Sequence, residues 1–313
     1  MTTKYAFVFP GQGSQTVGML AELAAEYAVV RDTFAEASAA LGYDLWQLVS
    51  QGPEADLNET HRTQPALLTA SVAVYRLWQQ QGGVAPAYFA GHSLGEYSAL
   101  VCAGVISLAD AVILVEKRGQ YMQTAVPAGT GAMSAIIGLD DALIEKACAE
   151  AAGSEVVSPV NYNSPGQVVI AGHKAAVERA GELCKTYGAK RALPLPVSVP
   201  SHCALMKPAA AQLQLDLAAL TFNTPVTPVV NNVDVAVVTS QEAMKDALIR
   251  QLFSPVRWTE TIEWLSAQGV TDVVELGAGK VLAGLIKRIN KDLNISSVND
   301  VASLQSAFVA AAS

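Results

Sequence analysis

The sequence predicts an α/β fold in which a parallel sheet carries a second, smaller unit inserted near the middle of the chain. Apolar segments of strand length alternate with helical patterns over most of the 313 residues, which is typical of a parallel sheet. Between residues 132 and 197 the order changes to β-α-β-β-α-β, with segments rich in Pro and Gly on both sides. We therefore expect a core from residues 1–126 and 199–313 and a ferredoxin-like subdomain from residues 127–198.

The predicted elements follow from apolar segments and helical repeats, taken in order. The first strand, at residues 5–9, is apolar throughout and stops at Pro10. The remaining core helices are predicted at residues 19–40, 65–81, 96–103, 108–123, 244–252 and 281–289, and the remaining core strands at 87–90, 229–230 and 273–276. In the inserted unit, strands are predicted at residues 133–137, 156–160, 168–171 and 191–195, and helices at 141–151 and 174–187.

Composition and charge exclude several classes of protein. A content of 51% hydrophobic and 15% charged residues is sufficient for a large buried core. The formal net charge of −8 argues against non-specific nucleic-acid binding, and no apolar run approaches the roughly 18 residues of a membrane span. The four cysteines are widely scattered, which favours neither a disulfide framework nor a zinc site. We expect reduced thiols and a cytoplasmic location, with no membrane or nucleic-acid partner.

A pentapeptide, Gly91-His92-Ser93-Leu94-Gly95, places one serine at a glycine-bracketed turn between a predicted strand and a predicted helix. This context is that of a nucleophile elbow, in which the serine hydroxyl is exposed at the edge of the sheet. The start of the following helix also presents free N–H groups to a developing negative charge. Ser93 is therefore the candidate nucleophile; the alternative is a tight turn with an incidental serine.

A serine nucleophile needs a base, and the chain has four histidines. His61 lies in a polar stretch and is predicted in an exposed loop, whereas His173 is predicted at a helix start. His92 adjoins Ser93, and its side chain should project away to pack or hydrogen-bond the turn. His202 remains, in an irregular segment at the exit of the inserted unit, where a cleft between two domains would form. The alternative for His202 is a buried structural histidine.

Arg118 lies on the apolar side of a predicted helix. Val115, Arg118 and Met122 are spaced as one helical face, so the guanidinium starts from the side that packs into the core. A charge there requires a partner. The partner is either an internal carboxylate such as Glu96 or an anionic ligand, because arginine binds carboxylates in a bidentate manner.

Another glycine-rich loop, Gly11-Gln12-Gly13-Ser14-Gln15, follows the first strand. Its spacing does not fit a dinucleotide-binding or phosphate-binding loop, because Thr16 occupies the third glycine position. The carboxyl ends of parallel strands meet at one edge of a sheet, so we expect this loop beside Ser93.

These motifs together resemble the malonyl-CoA:acyl carrier protein transacylases of bacterial type II fatty acid synthesis. The resemblance covers essentially the whole chain in the family's order and spacing. It implies an α/β-hydrolase-like core with a ferredoxin-like subdomain, in agreement with the pattern above. The segments that carry it are 11–15, 91–96, Arg118, 161–167 (Asn-Tyr-Asn-Ser-Pro-Gly-Gln) and 200–202 (Pro-Ser-His).

The resemblance also implies roles for individual residues. Ser93 would accept the acyl group, His202 would be its base, and Arg118 would hold the malonyl carboxylate. His202 would be oriented by a backbone carbonyl near Gln251 rather than by an aspartate. The remaining candidates flank the nucleophile: the oxyanion-hole N–H groups of Gln12 and Leu94, and His92, which we group with Arg118 as substrate-binding.

The expected reaction is a ping-pong transfer of malonyl from malonyl-CoA, through Ser93, to the phosphopantetheine thiol of holo acyl carrier protein, without a cofactor. A serine thioesterase or other hydrolase is one rival. That class usually carries its histidine close to the C-terminus, and His202 lies far from it. A malonyltransferase serving polyketide synthesis is a closer rival with nearly the same residues. A catalytically inactive carrier-binding scaffold is disfavoured by the intact candidate set.

Overall fold

The computed structural model describes residues 2–197 and 199–313, and within them the chain forms two sheets surrounded by helices. The strands are β1 (Tyr5–Phe9), β2 (Tyr88–Gly91), β3 (Gly131–Ile137), β4 (Val157–Ser164), β5 (Gln167–His173), β6 (Arg191–Pro194), β7 (Val229–Val230), β8 (Asp272–Leu276) and β9 (Asn294–Val298). The first seven helices are α1 (Ala21–Glu26), α2 (Ala28–Leu41), α3 (Leu45–Gln51), α4 (Glu54–Leu57), α5 (Thr60–Gln80), α6 (Gly95–Cys102) and α7 (Leu108–Thr124). The others are α8 (Asp141–Ala152), α9 (Lys174–Thr186), α10 (Lys207–Ala218), α11 (Gln241–Gln251), α12 (Trp258–Ala267), α13 (Val281–Ile289) and α14 (Val301–Ala312).

The larger sheet is five-stranded, in the order β7-β2-β1-β8-β9, and each neighbouring pair is parallel. The smaller sheet is four-stranded and antiparallel, in the order β4-β5-β3-β6, so its strands lie between Gly131 and Pro194. The prediction of a mixed α/β fold with a parallel sheet and a second unit is confirmed at this level. The predicted domain limit at residue 198 lies outside the described residues.

Both faces of the parallel sheet are covered by apolar side chains. On one face, Phe7, Phe9 and Phe89 pack in the larger cluster with helix α5. Ala6 and Val8, which alternate with them along β1, pack on the other face with helices α12 and α13. A strand buried on both faces reads as a continuous apolar run, which explains the clear signal at residues 5–9.

Several predicted bounds were wrong. The helix expected over residues 19–40 is divided into α1 and α2 by the extended backbone of Tyr27. Helix α5 begins at Thr60 and continues through Pro65, so the proline does not mark its start. The sequence reading also missed the short helices α3 and α4 before the inserted unit, and helices α10, α12 and α14 and strand β9 after it.

The smaller sheet is attached to the core through the segment that leads into helix α12. The N–H of Tyr162 on β4 donates to the carbonyl of Val256 at 3.0 Å, and the N–H of Val256 donates to the carbonyl of Val160 at 2.8 Å. The hydroxyl of Thr259 also donates to the Tyr162 carbonyl, at 3.1 Å. These bonds fix β4 against the segment between α11 and α12. Among the described residues, no helix is long and apolar enough to cross a membrane.

Candidate active site

Ser93 lies on the turn between β2 and α6, as predicted. The surrounding glycines are required because a Cβ on Gly95 would lie 2.1 Å from the Phe9 carbonyl oxygen, and one on Gly91 would lie 1.9 Å from the carbonyl of Gly95. The left-handed backbone falls on the serine itself, with φ of 53° at Ser93. The glycines therefore allow helix α6 to start against the end of β1, and the strained conformation at Ser93 presents its hydroxyl.

The Ser93 hydroxyl contacts His202, and the other ring nitrogen of His202 contacts the backbone carbonyl of Gln251, as predicted. Ser93 Oγ is 2.8 Å from His202 Nε2, and His202 Nδ1 is 2.7 Å from the backbone carbonyl oxygen of Gln251. A carbonyl oxygen only accepts, so Nδ1 carries the proton and donates it. This leaves the Nε2 lone pair facing Ser93, which is the tautomer that can accept the serine proton.

His202 is held in this position by its backbone and its burial. It has φ of 63°, its N–H donates to the carbonyl of Leu252 at 3.1 Å, and its side chain is buried. Burial, followed by the positive charge of Arg118, lowers the pKa of His202 to about 3. The ring is therefore neutral over the physiological pH range.

Arg118 is fully buried on helix α7, 0% exposed, and its neighbours are neutral. Nη1 donates to Gln64 Oε1 at 2.7 Å, and Nη2 donates to Gln251 Oε1 at 2.9 Å and, more distantly, to Ser93 Oγ at 3.4 Å. Its Nε has no hydrogen-bond partner within the described chain. The sequence alternative of an ion pair with Glu96 is not found: in the described residues no carboxylate lies within 4.0 Å of this guanidinium.

The loop after β1 lies against the turn, as expected from the parallel sheet. A Cβ on Gly11 would lie 2.6 Å from the His92 carbonyl oxygen, so only glycine allows this approach. No hydrogen bond from the backbone N–H of Gln12 or Leu94 is found within residues 2–197 and 199–313. The N–H of Ser93, in contrast, donates to Asn232 Oδ1 at 2.8 Å. The two predicted oxyanion-hole donors are thus free, and the serine's own N–H is not.

His92 projects away from Ser93 toward the small sheet. Its Nε2 donates to Asn163 Oδ1 at 2.7 Å, and its ring centroid is 5.5 Å from that of Trp258. Burial lowers the pKa of His92, so this ring is neutral as well. As predicted, the His92 side chain projects away from Ser93, but its hydrogen bond goes to Asn163 on β4 and not to the turn. Its role toward substrate stays a prediction.

The other two histidines lie away from the site. His173 precedes helix α9 as predicted. The prediction for His61 was wrong, because this residue lies within helix α5, where Nδ1 bonds Gln123 Oε1 at 3.1 Å. Across the described chain, no group of three or more His, Cys, Asp and Glu residues could hold a metal ion.

Sequence reasoning missed three amide side chains that organise the site: Gln64, Asn163 and Asn232. Asn232 had a usable signal, because it directly follows strand β7 at the carboxyl edge of the parallel sheet. Asn163 is part of the 161–167 motif, and nothing in that segment alone indicates that its side chain bonds His92. Gln64 had no local signal, since a polar residue in the first turns of a helix is ordinarily exposed.

The fold and the site define a class of protein: an acyl-transfer enzyme with a Ser–His pair on a strand–turn–helix and a buried arginine beside it. The acyl transferase domain family matches residues 6–307. The chain belongs to this family, in the branch of the bacterial malonyl-CoA–acyl carrier protein transacylases.

Individual relatives support this assignment over nearly the full length. The Malonyl CoA-acyl carrier protein transacylase of Escherichia coli K12 is 69% identical, over 97% of this chain and 99% of the relative. An acyl carrier protein S-malonyltransferase from Vibrio cholerae is 70% identical with a TM-score of 0.96, covering 97% of this chain and 99% of that one. A malonyl-transacylase solved in complex with a type II polyketide synthase acyl-carrier protein is 63% identical with a TM-score of 0.97, covering 98% of this chain and 100% of that one.

Proposed function

We propose that this chain transfers a malonyl group from malonyl-CoA to the phosphopantetheine thiol of holo acyl carrier protein, through an ester on Ser93. The reaction uses the two substrates and the chain's own groups, with no cofactor. The names of the relatives above support the substrate pair, and the contacts of the site support the assignment of roles to residues.

In the first half-reaction, His202 Nε2 takes the proton of the Ser93 hydroxyl while Oγ attacks the thioester carbonyl carbon. The negative charge that develops on the carbonyl oxygen is held by the N–H groups of Gln12 and Leu94. The carbon–sulfur bond then breaks, and the proton on His202 passes to the departing CoA thiolate. In the second half-reaction the carrier thiol gives its proton to His202 and attacks the ester, and the proton returns to Ser93.

One observation carries the choice of malonyl: Arg118 is buried, has no carboxylate partner in the described chain, and lies 3.4 Å from the nucleophile. An isolated buried charge is costly, so a ligand with a carboxylate is strongly favoured there. The short distance between guanidinium and nucleophile also limits the ligand. Its carboxylate must lie very close to the reacting carbonyl, and in malonyl a single carbon separates them.

Polyketide synthesis is the second candidate context, favoured by the 63% identical malonyl-transacylase solved with a type II polyketide carrier protein. The chemistry at Ser93 is the same in both contexts, and only the acceptor differs. The two are separated by comparing transfer rates to a fatty acid carrier and to a polyketide carrier.

The finer description of the fold belongs to the same proposal. The β-α-β-β-α-β order of the small unit, with its antiparallel sheet β4-β5-β3-β6, supports a ferredoxin-like subdomain. The serine turn between β2 and α6 supports an α/β-hydrolase-like core. A cytoplasmic location is also proposed, and the four free thiols agree with a reducing compartment.

The test is intact mass measurement on the protein mixed with malonyl-CoA and then with holo acyl carrier protein. We expect a malonyl mass shift on the enzyme that disappears as the same shift appears on the carrier. Peptide mapping should place the adduct on Ser93. Release of free malonate without a carrier adduct would instead identify a hydrolase, and no adduct at either stage would reject the proposal.

A further inference from the structure

The side-chain amide of Gln251 lies between Arg118 and a group of oxygen atoms. On one side, Gln251 Oε1 accepts from Arg118 Nη2 at 2.9 Å. On the other, Gln251 Nε2 faces the carbonyl oxygen of Ser93 at 3.0 Å, and Glu96 Oε1 and Asn232 Oδ1, both at 3.3 Å. The amide is thus placed with its oxygen toward a cation and its nitrogen toward three acceptors.

Glu96 is the charged member of that group. Its side chain is 3% exposed, and Oε1 also accepts the backbone N–H of Asn232 at 2.8 Å. In the described residues no Lys, Arg or His lies within 4.0 Å of this carboxylate. The Gln251 amide therefore stands between a buried cation, Arg118, and a buried acid that do not touch each other.

We propose that Glu96 is a specificity-determining positioning residue: its charge fixes the orientation of the Gln251 amide and, through it, the Arg118 guanidinium that receives the substrate carboxylate. This inference rests on the proposed role of Arg118. If the amide rotated by half a turn, its NH2 group would face the guanidinium and its oxygen would face three oxygens. Every contact of the amide would then become repulsive, and among the three acceptors the charged Glu96 opposes this rotation more strongly than the neutral oxygens of Ser93 and Asn232 do.

The site has two chemical tasks, attack by Ser93 on the acyl group and recognition of the substrate carboxylate. Glu96 acts on the second of these. The reacting atoms Ser93 Oγ and His202 Nε2 depend on the backbone carbonyl of Gln251, and the hydrogen bond that the Gln251 amide makes to Ser93 goes to its backbone carbonyl oxygen. Loss of the Glu96 charge should therefore weaken recognition of a carboxylate-bearing acyl group and leave attack on a neutral acyl group intact. Acetyl-CoA supplies that neutral comparison, because it lacks the carboxylate.

The test is Glu96→Gln, which keeps the side-chain size and an acceptor oxygen but removes the charge. Acylation of Ser93 by malonyl-CoA and by acetyl-CoA is followed by rapid quench and intact mass. The assay is run at about pH 8.5, because burial raises the pKa of Glu96 to about 7 and the parent carboxyl must be ionised. We expect malonyl kcat/KM to fall about fivefold to thirtyfold and the acetyl value to stay within about twofold. The ratio of the two rates is independent of how much of the variant is folded.

Two further variants separate charge from shape. Glu275→Gln is the matched control, because Glu275 is a second buried glutamate whose carboxylate accepts backbone N–H groups, here from Leu282 and Ala283. It should leave the malonyl-to-acetyl ratio unchanged. Glu96→Asp keeps the charge on a shorter side chain and should keep the ratio closer to the parent than Glu96→Gln does.

An unchanged ratio in Glu96→Gln, or a larger loss of ratio in Glu96→Asp than in Glu96→Gln, would overturn the inference. Either result with a normally malonylated parent leaves the proposed function standing. Two other results would show instead that the proposed function is wrong. These are a parent protein that forms no malonyl ester, and an Arg118→Ala variant with an unchanged malonyl-to-acetyl ratio.

Discussion

Ser93 and His202 share an uncommon backbone conformation, with φ of 53° and 63°, and their side chains meet at 2.8 Å. A non-glycine residue in the left-handed region costs roughly 1–2 kcal/mol. The chain therefore holds both members of the pair in strained positions, and this strain is balanced by the packing around them. Such outliers cluster at sites where geometry is needed for chemistry.

Ser93→Ala and Ser93→Gly should both abolish the malonyl ester, but they should differ in stability. Glycine adopts the left-handed conformation without a Cβ clash, so the glycine variant should be about 1 kcal/mol more stable than the alanine variant. Chemical denaturation of the two variants measures the difference. A malonyl mass shift in either variant would show that another residue is the nucleophile.

His202→Ala should lower acylation by about 10²-fold to 10⁴-fold, because the base is lost. In the parent, burial and Arg118 lower the His202 pKa to about 3, against an ordinary value of 6.5. The ring thus stays neutral as the pH is lowered past 6.5. We therefore expect the plot of kcat/KM for malonyl-CoA against pH to show no acidic limb centred at 6.5. Because the pKa of His202 is lower in the folded state, the unfolded state binds its proton more readily. The contribution of His202 therefore lowers the free energy of unfolding as the pH falls below 6.5. An acidic limb centred at 6.5 in kcat/KM would contradict this prediction.

Arg118→Ala should change the preference of the site rather than lower all activity. Leaving the malonyl carboxylate unpaired in a buried pocket costs roughly 3–5 kcal/mol, or about 10²-fold to 10⁴-fold in rate. Acylation by acetyl-CoA should be retained or improved. Arg118→Lys should recover only part of the malonyl rate, since a point charge does not reproduce the planar fork. Equal losses for both substrates would mean that Arg118 is only structural.

Gly95→Ala should prevent the correct turn, because its Cβ would lie 2.1 Å from the Phe9 carbonyl oxygen and neither backbone can move independently. We expect a loss of stability of at least about 3 kcal/mol and loss of acylation. Gly284→Ala is the control, since Gly284 lies exposed within helix α13 and a methyl group added there would have no described atom within 4 Å apart from its chain neighbours and its own helix backbone. It should raise stability by up to about 1 kcal/mol. Thermal unfolding of the two variants decides the point.

Transfer to the carrier should be more sensitive to salt than acylation by saturating malonyl-CoA. Acyl carrier proteins are acidic, and this chain has a net charge of −8, so docking requires a local basic surface. Lys117 is a weak candidate because its Nζ lies 3.4 Å from Asp216 Oδ1. The other exposed basic residues that we expect to form this surface are Lys190, Arg191, Lys280, Lys287 and Arg288. Charge reversal of each candidate, with both half-reactions measured in low and moderate salt, tests the surface, and equal salt sensitivity of the two steps would refute it.

The strongest parts of the sequence reading depended on local physical signals. The fully apolar strand β1, the glycine-bracketed Ser93 and the apolar face of Arg118 each follow from steric or burial rules that act over a few residues. The structure placed all three as expected. His202 was found partly by elimination among four histidines, and the resemblance supplied the carbonyl of Gln251.

The parts that sequence could not supply depend on long-range pairing. The Gln64 and Gln251 side chains contact Arg118 from helices that are far apart in the chain. The pattern of apolar residues along a helix does not predict that an amide oxygen will lie next to a buried charge. Asn232 bonds the Ser93 N–H across 139 residues. Helices α11 and α13 were predicted after the inserted unit, whereas α10, α12 and α14 were not.

A neutral carbonyl stands behind His202, where many serine enzymes place a carboxylate. A carbonyl stabilises an imidazolium less than a carboxylate does, and burial with the nearby Arg118 charge lowers the pKa of the ring, so His202 is a weak base. A weak base removes a proton far more readily from a thiol, with a pKa of about 8.5, than from water, with a pKa of about 15.7. In the proposed reaction the carrier thiol is therefore the acceptor that His202 activates most easily, whereas the less acidic Ser93 hydroxyl depends on its fixed position, with Oγ already 2.8 Å from Nε2, to lose its proton as it attacks.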